Sequence, residues 1–367
     1  MVLLFHSFAL TFSPPALPKG ISRFIWLTGI GRTGVELFFV LSGFLITGIL
    51  LDSNGRADFY RRFYVRRALR ILPAYFGLLV ILASLSHGPW LAARVGWRFV
   101  LLSLFYLSNV TPLFGVPVQY PPLWSLAVEE HFYAIWPVVV RRLRLSGFAI
   151  CAAGTCLLVP VIRAISISRY GMAKVNFYTW CNADALALGA LLAIIARDTR
   201  ATRARLWSLV AMTVCTALLI LLFGYPFGIA LGTTTVGFSL RIVVLDLLFA
   251  ALILVFLLVG TTSWKALVNR PVLQFLGRIS YGLYLFHLLV FQLYDAFTAR
   301  FVPAIVAHDG SFSTILLRFL VASGASIAFA YLSRRYFEEP FLALKDRLSR
   351  SRAESLSPSL SPRSVAA

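Results

Sequence analysis

The chain has 367 residues, of which 59% are hydrophobic and only 13% are Asp, Glu, Lys or Arg. Soluble domains carry roughly 25% charged residues, so this composition excludes a soluble globular protein and predicts an all-α, polytopic membrane protein. The formal net charge is +20. The basic residues cluster in short loops between apolar runs, as the positive-inside rule describes, so the charge is assigned to membrane topology and no nucleic-acid partner is expected.

Ten apolar runs predict about ten transmembrane helices with both termini in the cytoplasm, in the cell's inner (plasma) membrane. They lie at 1–12, 34–52, 71–87, 123–140, 147–166, 184–197, 205–224, 239–260, 279–299 and 314–333. A further run at 98–110 is expected not to cross. Only then do most of the Lys and Arg residues fall on one side of the membrane.

The two ends of the chain differ from the predicted bundle. The first run covers about 18 Å as a helix, against a hydrocarbon core of about 30 Å, so the first helix is expected to be truncated, with the native start upstream of Met1. Residues 1–341 are interpreted as one transmembrane domain. The basic, Ser/Pro-rich segment 342–367 is expected to be a disordered cytoplasmic tail.

Four separate runs bring ionisable side chains to the predicted outer half of the membrane. These side chains are His6, Glu36, Glu129, Glu130 and Asp184. Ionisable groups at membrane depth usually line a cavity or a pathway. Any one of these acids alone could instead be explained by an ion pair with Arg163, Arg241 or Arg318, which lie within the predicted spans. A histidine near a carboxylate is also the minimal arrangement for general-base catalysis.

The segment "FYRRFYVRRALRILPAYF" (59–76) places five arginines just before the third predicted helix. Arg66 and Arg70 are separated by four residues, and Arg67 and Arg70 by three, so each pair shares a helical face. Such a fork can bind a phosphorylated ligand in bidentate fashion. A topology signal with lipid-headgroup contacts explains the same charges about as well.

The segment "LGRISYGLYLFHLLVF" (276–291) carries Tyr281, Tyr284 and His287. Counted from the start of its apolar run, His287 is expected about 12 Å from the cytoplasmic face. Cavity lining and simple packing are both consistent with this pattern. The chain has no lipase-type GxSxG motif and no Cys/His spacing typical of a metal site, so neither a serine acyl-enzyme nor a metal is expected.

Five stretches, taken in order, resemble acyltransferase family 3, the integral-membrane O-acyltransferases of the O-antigen, Nod-factor and peptidoglycan acetylase type. They are "GVELFFVLSGFLIT" (34–47), "FYVRRALRILPAYF" (63–76), "LWSLAVEEHFYAIWP" (123–137), "ISYGLYLFH" (279–287) and "RRYFEEPF" (334–341), and "FHSF" (5–8) is similar to the end of the family's first motif. The matching stretches cover the chain from end to end.

The resemblance implies roles for individual residues. His6 and Glu130 are implied to be catalytic, and Arg67 and Arg70, with the adjacent Arg66, to bind the acyl donor. Other motif or cavity positions are Glu36, Ser42, Trp124, Ser125, Tyr133, Asp184, Tyr284 and His287.

Two positions depart from the family pattern. The arginine expected eleven positions before the first-motif histidine would precede Met1. Asn182 stands where the family often has an arginine two positions before the aspartate, which is expected to weaken the role of Asp184 as a paired charge.

The expected activity is transfer of an acyl group, most simply acetyl, from cytoplasmic acyl-CoA to a hydroxyl of a cell-surface glycan, a lipid-linked sugar or a secreted metabolite. Acyl-CoA is a substrate here, and no tightly bound cofactor is expected. His6 is expected to act as the base or as the acyl carrier. The alternatives are a transporter or flippase for an anionic or sugar-linked substrate, and a glycosyltransferase with a polyprenyl-phosphate donor.

Overall fold

The computed structural model describes residues 1–9, 19–86, 88, 95–198, 202–229, 232–259, 266, 268–305 and 312–349. Within these residues the chain forms helices and turns, with no β-strand. In the part of the chain that the structure describes, seven helical stretches are long and apolar enough to cross a membrane. The prediction of an all-α, polytopic membrane protein is confirmed, whereas the count of ten crossings stays a prediction.

Among the described residues, twelve α-helices of eight or more residues follow a short N-terminal segment. That segment consists of one helical turn, Val2–Leu4, followed by a π-helical turn, Phe5–Ala9. The helices are α1 Lys19–Thr28, α2 Gly34–Ser53, α3 Phe59–Leu85, α4 Trp97–Leu104, α5 Pro122–Arg142, α6 Leu145–Tyr170, α7 Ala183–Ile195, α8 Arg203–Gly224, α9 Thr235–Val259, α10 Pro271–Phe301, α11 Phe312–Leu332 and α12 Glu339–Ser349.

Every predicted run from 34–52 onward overlaps one of these helices, but several helices begin earlier than the apolar run. Helix α3 begins at Phe59, where the predicted run begins at residue 71, and α10 begins at Pro271, where the run begins at residue 279. An apolar run in the sequence identifies only the part of a helix that apolar groups surround. Polar and basic residues extend the helix beyond that part.

The run at 98–110 was predicted not to cross the membrane, and its structure agrees. Helix α4 has 8 residues, which span about 12 Å and cannot cover the hydrocarbon core. The chain then leaves the helix through Tyr106, whose φ of 57° lies in the left-handed region.

Helices α2 and α7 approach each other closely at two glycines, Gly43 and Gly189. A Cβ added to Gly43 would lie 2.0 Å from the carbonyl oxygen of Leu186, and one added to Gly189 would lie 2.0 Å from that of Val40. Small residues at facing positions let membrane helices approach this closely. The contact fixes the position of α2, and therefore of Ser42, which precedes Gly43.

Helix α12 extends into the C-terminal segment. It ends at Ser349, so residues 342–349 of the segment expected to be a disordered tail are helical in the structure, and the tail itself stays a prediction. The helix continues because Leu, Lys and Arg in this segment are good helix formers. Residues 350–367 of the predicted tail lie outside the described residues.

Candidate active site

A cavity of about 300 Å³ lies between α2, α3, α5 and α10. It brings together predicted site residues from three of these helices. The lining residues are Val2, Gly34, Val35, Phe38, Arg67, Arg70, Ile71, Ser125, Leu126, Glu129, Tyr133, Ser280, Tyr281 and Tyr284. Residues far apart in the sequence therefore surround one small chamber inside the bundle.

Glu129 is the carboxylate of this cavity. Its side chain comes from α5 and is 6% exposed. The hydroxyl of Ser42 on α2 and the hydroxyl of Tyr133, one turn further along α5, both donate hydrogen bonds to Glu129 Oε1. The two hydroxyl oxygens lie 3.2 Å apart. These contacts hold the carboxylate in one orientation as a hydrogen-bond acceptor.

The three consecutive polar residues of α5 point in three directions. Glu129 faces the cavity, whereas Glu130 is not among its lining residues. Glu130 Oε1 is buried, without a hydrogen-bond partner in the described part of the chain. His131 Nδ1 lies 2.7 Å from Thr179 Oγ1. Successive helical residues are about 100° apart, so Glu129 and Glu130 cannot both face the cavity. The structure places Glu129 there, whereas the resemblance implied a role for Glu130.

Two arginines on α3 face the same cavity. The guanidinium carbon of Arg67 lies 5.0 Å from the Tyr133 ring centroid and 6.0 Å from that of Phe63. Neither Arg67 nor Arg70 forms an ion pair with any described residue. Arg66 is not among the lining residues. The cavity thus has two cationic groups available for an anionic ligand.

A histidine pair joins the N-terminal segment to α10. His6 Nδ1 lies 2.8 Å from His287 Nε2, and the two rings stack with centroids 4.9 Å apart. His287 is buried. It lies about 24 Å from the start of α10, at 1.5 Å per residue. The predicted depth of about 12 Å is counted from the start of the apolar run, eight residues into α10, and stays a prediction.

The neighbours of His287 determine where the protons of the neutral pair lie. His287 Nδ1 is 2.7 Å from the carbonyl oxygen of Tyr284, which can only accept a hydrogen bond, so Nδ1 carries the proton. His287 Nε2 is then an acceptor, and His6 Nδ1 must be the donor. This leaves the lone pair of His6 on Nε2, which is the form that a base or a nucleophile needs.

Tyr284 connects the histidine pair to the cavity. Its ring lines the cavity, its carbonyl oxygen binds His287, and its hydroxyl lies 2.5 Å from Ser125 Oγ. Tyr120, in the loop before α5, holds this part of α10 in place. Its hydroxyl donates a hydrogen bond to Leu285 O and accepts one from Leu289 N. Sequence reasoning missed Tyr120, since a single tyrosine in a Pro-rich loop carries no signal of this contact.

The remaining predicted site residues lie elsewhere. Trp124 packs edge-on against Phe39 and Phe177 and lines no described cavity. Glu36 lines a second, separate groove.

Asp184 pairs with Arg163 at 2.5 Å, with both side chains buried. The expectation that Asn182 weakens the pairing of Asp184 is therefore wrong, because the partner arginine comes from α6 instead.

Helical stretches that are long and apolar enough to cross a membrane, around a cavity lined in part by charged and hydroxyl-bearing side chains, define a multi-pass membrane protein. The family described as "Acyltransferase domain" matches residues 1–335. The chain belongs to this acyltransferase family, as its sequence motifs predicted.

Several bacterial proteins are similar to the chain. "Putative O-acetyltransferase SACOL0978" of Staphylococcus aureus is 30% identical over 344 residues, covering 86% of this chain and 53% of the relative. "Putative peptidoglycan O-acetyltransferase YrhL" of Bacillus subtilis is 33% identical over 303 residues, covering 74% and 46%. "Peptidoglycan O-acetyltransferase OatA" of Listeria monocytogenes is 35% identical over 131 residues, covering 31% and 20%.

The chain spans about half the length of the first two of these relatives. No solved structure matches it.

Proposed function

We propose that the chain is a membrane O-acyltransferase that moves an acyl group, most simply acetyl, from a coenzyme A thioester to a hydroxyl of an envelope glycan or lipid-linked saccharide. The observation that carries the proposal is a cavity lined by the hydrogen-bonded carboxylate of Glu129 and by two guanidinium groups that have no ion-pair partner among the described residues. Tyr284 also lines this cavity, and its carbonyl oxygen contacts His287 of the histidine pair. Family membership supports acyl transfer, and the names of the relatives support a glycan acceptor.

The donor end of the reaction is assigned to Arg67 and Arg70. Coenzyme A carries phosphates on one end and the thioester on the other, and guanidinium groups bind phosphate oxygens through paired N–H donors. The cavity between these arginines and Tyr284 would receive the acyl-pantetheine arm. Its volume of about 300 Å³ suits a slender chain better than a bulky one. Arg66 is one helical step away from the cavity and is assigned only a supporting charge.

The chemical step is assigned to His6. His6 Nε2 takes the proton of the acceptor hydroxyl while the oxygen attacks the thioester carbonyl. The new C–O bond forms, the C–S bond breaks, and the proton passes to the departing sulfur, so that free coenzyme A is released. His287 accepts a hydrogen bond from His6 Nδ1 before and after this proton transfer. It thereby orients the ring and stabilises its cationic form.

Glu129 is assigned an orienting role at the cavity. Its Oε1 atom is held by Ser42 and Tyr133, so the carboxylate presents a fixed acceptor to an N–H or O–H group of a bound substrate. The resemblance implies the neighbouring Glu130 for catalysis. A role for Glu129 and a role for Glu130 therefore predict different effects of substituting each glutamate alone.

The proposal is tested with the full chain in membranes and acetyl-CoA carrying a labelled acetyl group. Label incorporation into envelope glycans or lipid-linked saccharides is compared among wild type, His6→Ala and Arg67→Ala at matched expression. We expect loss of transfer by a factor of about 10² to 10⁴ for His6→Ala, the usual contribution of a general base. Unchanged incorporation in both variants, or substrate movement without coenzyme A release, would contradict acyl transfer.

A further inference from the structure

A second groove, of about 750 Å³, lies beside α9 and is separate from the active-site cavity. Its wall is formed by α1, by the start of α2 and by one face of α9. The lining residues are Met1, Phe5, Ile25, Trp26, Gly29, Ile30, Arg32, Thr33, Glu36, Asn176, Phe238, Arg241, Ile242, Leu245, Leu248 and Phe249. It shares no lining residue with the active-site cavity.

The deep part of the groove is apolar. Along α9 the lining positions Phe238, Ile242, Leu245 and Phe249 recur every three to four residues, so they form one face of the helix. Eleven residues separate the first from the last, which gives a wall about 16 Å long at 1.5 Å per residue. Such a wall fits a hydrocarbon chain that lies parallel to the helix.

The other end of the groove is polar and basic. Arg32 and Glu36 lie at the N-terminal end of α2, and Arg241 lies in the second turn of α9. Arg241 packs beside Gly232, with its Nη1 at 3.5 Å from the position that a Cβ would take there. Arg32 and Arg241 are exposed and form no ion pair with a described residue.

Glu36 adds a second observation at this end. Its Oε2 atom is buried and has no hydrogen-bond partner among the residues that the structure describes. A carboxylate oxygen in that position is ready to accept a hydrogen bond from a ligand hydroxyl. The N-termini of α2 and α9 also lie at this end, where helix dipoles favour negative charge.

We propose that this groove binds the acyl acceptor as an anionic amphiphile, namely a saccharide joined through a phosphate to a long hydrocarbon chain. The phosphate lies between Arg32 and Arg241, a sugar hydroxyl donates to Glu36, and the chain follows α9 toward Phe249. This assignment rests on the proposed acyl transfer, whose acceptor it specifies.

The N-terminal segment connects the two chambers. Val2 lines the active-site cavity, whereas Met1 and Phe5 line the groove, and His6 follows Phe5 directly. An acceptor in the groove and a donor in the cavity would therefore meet at the segment that carries the proposed base.

Binding is tested with the full chain in nanodiscs and a photoreactive long-chain polyprenyl phosphate. We expect crosslinks on α1 and on the lining face of α9, and about tenfold weaker binding of the polyprenol of equal length. Arg241→Gln and Leu245→Trp are expected to weaken probe binding about tenfold, the first by removing charge and the second by filling the groove. The matched controls are Arg169→Gln, an exposed arginine outside the groove, and Leu252→Trp, on α9 but not lining it.

Two results would overturn the assignment: equal binding of phosphate and alcohol with no effect of Arg241→Gln, or equal displacement of the probe by phosphatidylglycerol. The acetyl-transfer assay separates this inference from the proposed function. If transfer proceeds and is unaffected by Arg241→Gln and Leu245→Trp, the groove assignment alone fails. If the probe binds as expected but no acetyl leaves coenzyme A, the proposed function fails and the groove remains a site for anionic lipid.

Discussion

The arginines of this bundle form two groups, which differ in whether the guanidinium group has an ion-pair partner among the described residues. Arg163 is fully buried and paired with Asp184 at 2.5 Å, and Arg318 is paired with Asp295 at 2.6 Å while lying 4.8 Å from the Phe291 ring centroid. Arg67 and Arg70 face a cavity and have no ion-pair partner among the described residues.

The difference predicts which of these charges stabilise the fold and which bind a ligand. A paired, hydrogen-bonded arginine is neutralised within the protein and has few donors left for a ligand. Arg163 donates from Nη2 to both carboxylate oxygens of Asp184, from Nε to the carbonyl oxygen of Cys181 and from Nη1 to that of Ser239. An unpaired guanidinium group at a cavity keeps its donors for an anion that arrives from outside. The comparison predicts that substitutions in the first set reduce stability, whereas those in the second reduce activity.

The largest effect is expected for Arg163→Leu. This change leaves the Asp184 carboxylate buried without its partner, and breaking such a pair typically destabilises a protein by about 3–5 kcal/mol. Thermal unfolding in detergent and the yield of folded protein measure the loss. The double variant Arg163→Leu with Asp184→Leu is expected to recover part of it. Wild-type stability in the single variant would show that the pair is not structural.

A smaller effect, of a different kind, is expected for Arg67→Ala. Folding should be preserved, while the acetyl-CoA concentration at half-maximal transfer rises about tenfold or more through loss of a charge-assisted contact. Arg61→Ala, on the same helix but outside the cavity, is the matched control and should leave transfer unchanged. Destabilisation comparable to that of Arg163→Leu would place Arg67 among the structural arginines.

The two glutamates of α5 give the next comparison. Glu129→Gln removes the charge that Ser42 and Tyr133 orient, and transfer is expected to fall about tenfold, within the range for one charge-assisted hydrogen bond. Glu130→Gln is expected to change transfer less than threefold, because Glu130 does not line the cavity. Initial rates at saturating acetyl-CoA, at matched protein levels, measure both. The reverse order of effects would favour the role that the family resemblance implies for Glu130.

The smallest effect is expected for Arg318→Lys. Lysine keeps the positive charge but replaces two N–H contacts to Asp295, at 2.6 and 2.7 Å, with a single ammonium contact. A loss of about 1 kcal/mol is expected in the unfolding free energy, with transfer unchanged. A decrease in melting temperature equal to that of Arg163→Leu would contradict this expectation. It would mean that stability depends on the two-point contact between Arg318 and Asp295 far more than on the neutralisation of Asp295 by a positive charge.

Much of the bundle could be predicted from the sequence because a helix that crosses a membrane needs a long run of apolar residues. Helices α2 to α11 were found in this way, except for the short α4, whose failure to span was predicted from charge placement. Helix ends were predicted less well, as α3 and α10 show, because arginines and polar residues extend these helices beyond the apolar run. The helix Lys19–Thr28 was missed because its composition is mixed.

The site was predicted as a set of residues but not as a geometry. One helical step separates Glu129 from Glu130, so only the absolute rotation of α5 decides which one meets the cavity. The contact between His6 and His287 joins positions 281 residues apart, and the partner of Asp184 comes from a different helix. Contacts of this kind depend on tertiary packing, which a local sequence pattern does not contain.

The close approach of α2 and α7 links bundle packing to the chemistry of the cavity. Ser42, which donates to Glu129, directly precedes Gly43, the residue at which the two backbones approach each other. A methyl group added at Gly189, on a helix with no residue lining the cavity, would separate those backbones and draw the serine hydroxyl away from the carboxylate. Such a variant would register in an assay as a catalytic lesion, although the altered atom never meets a substrate.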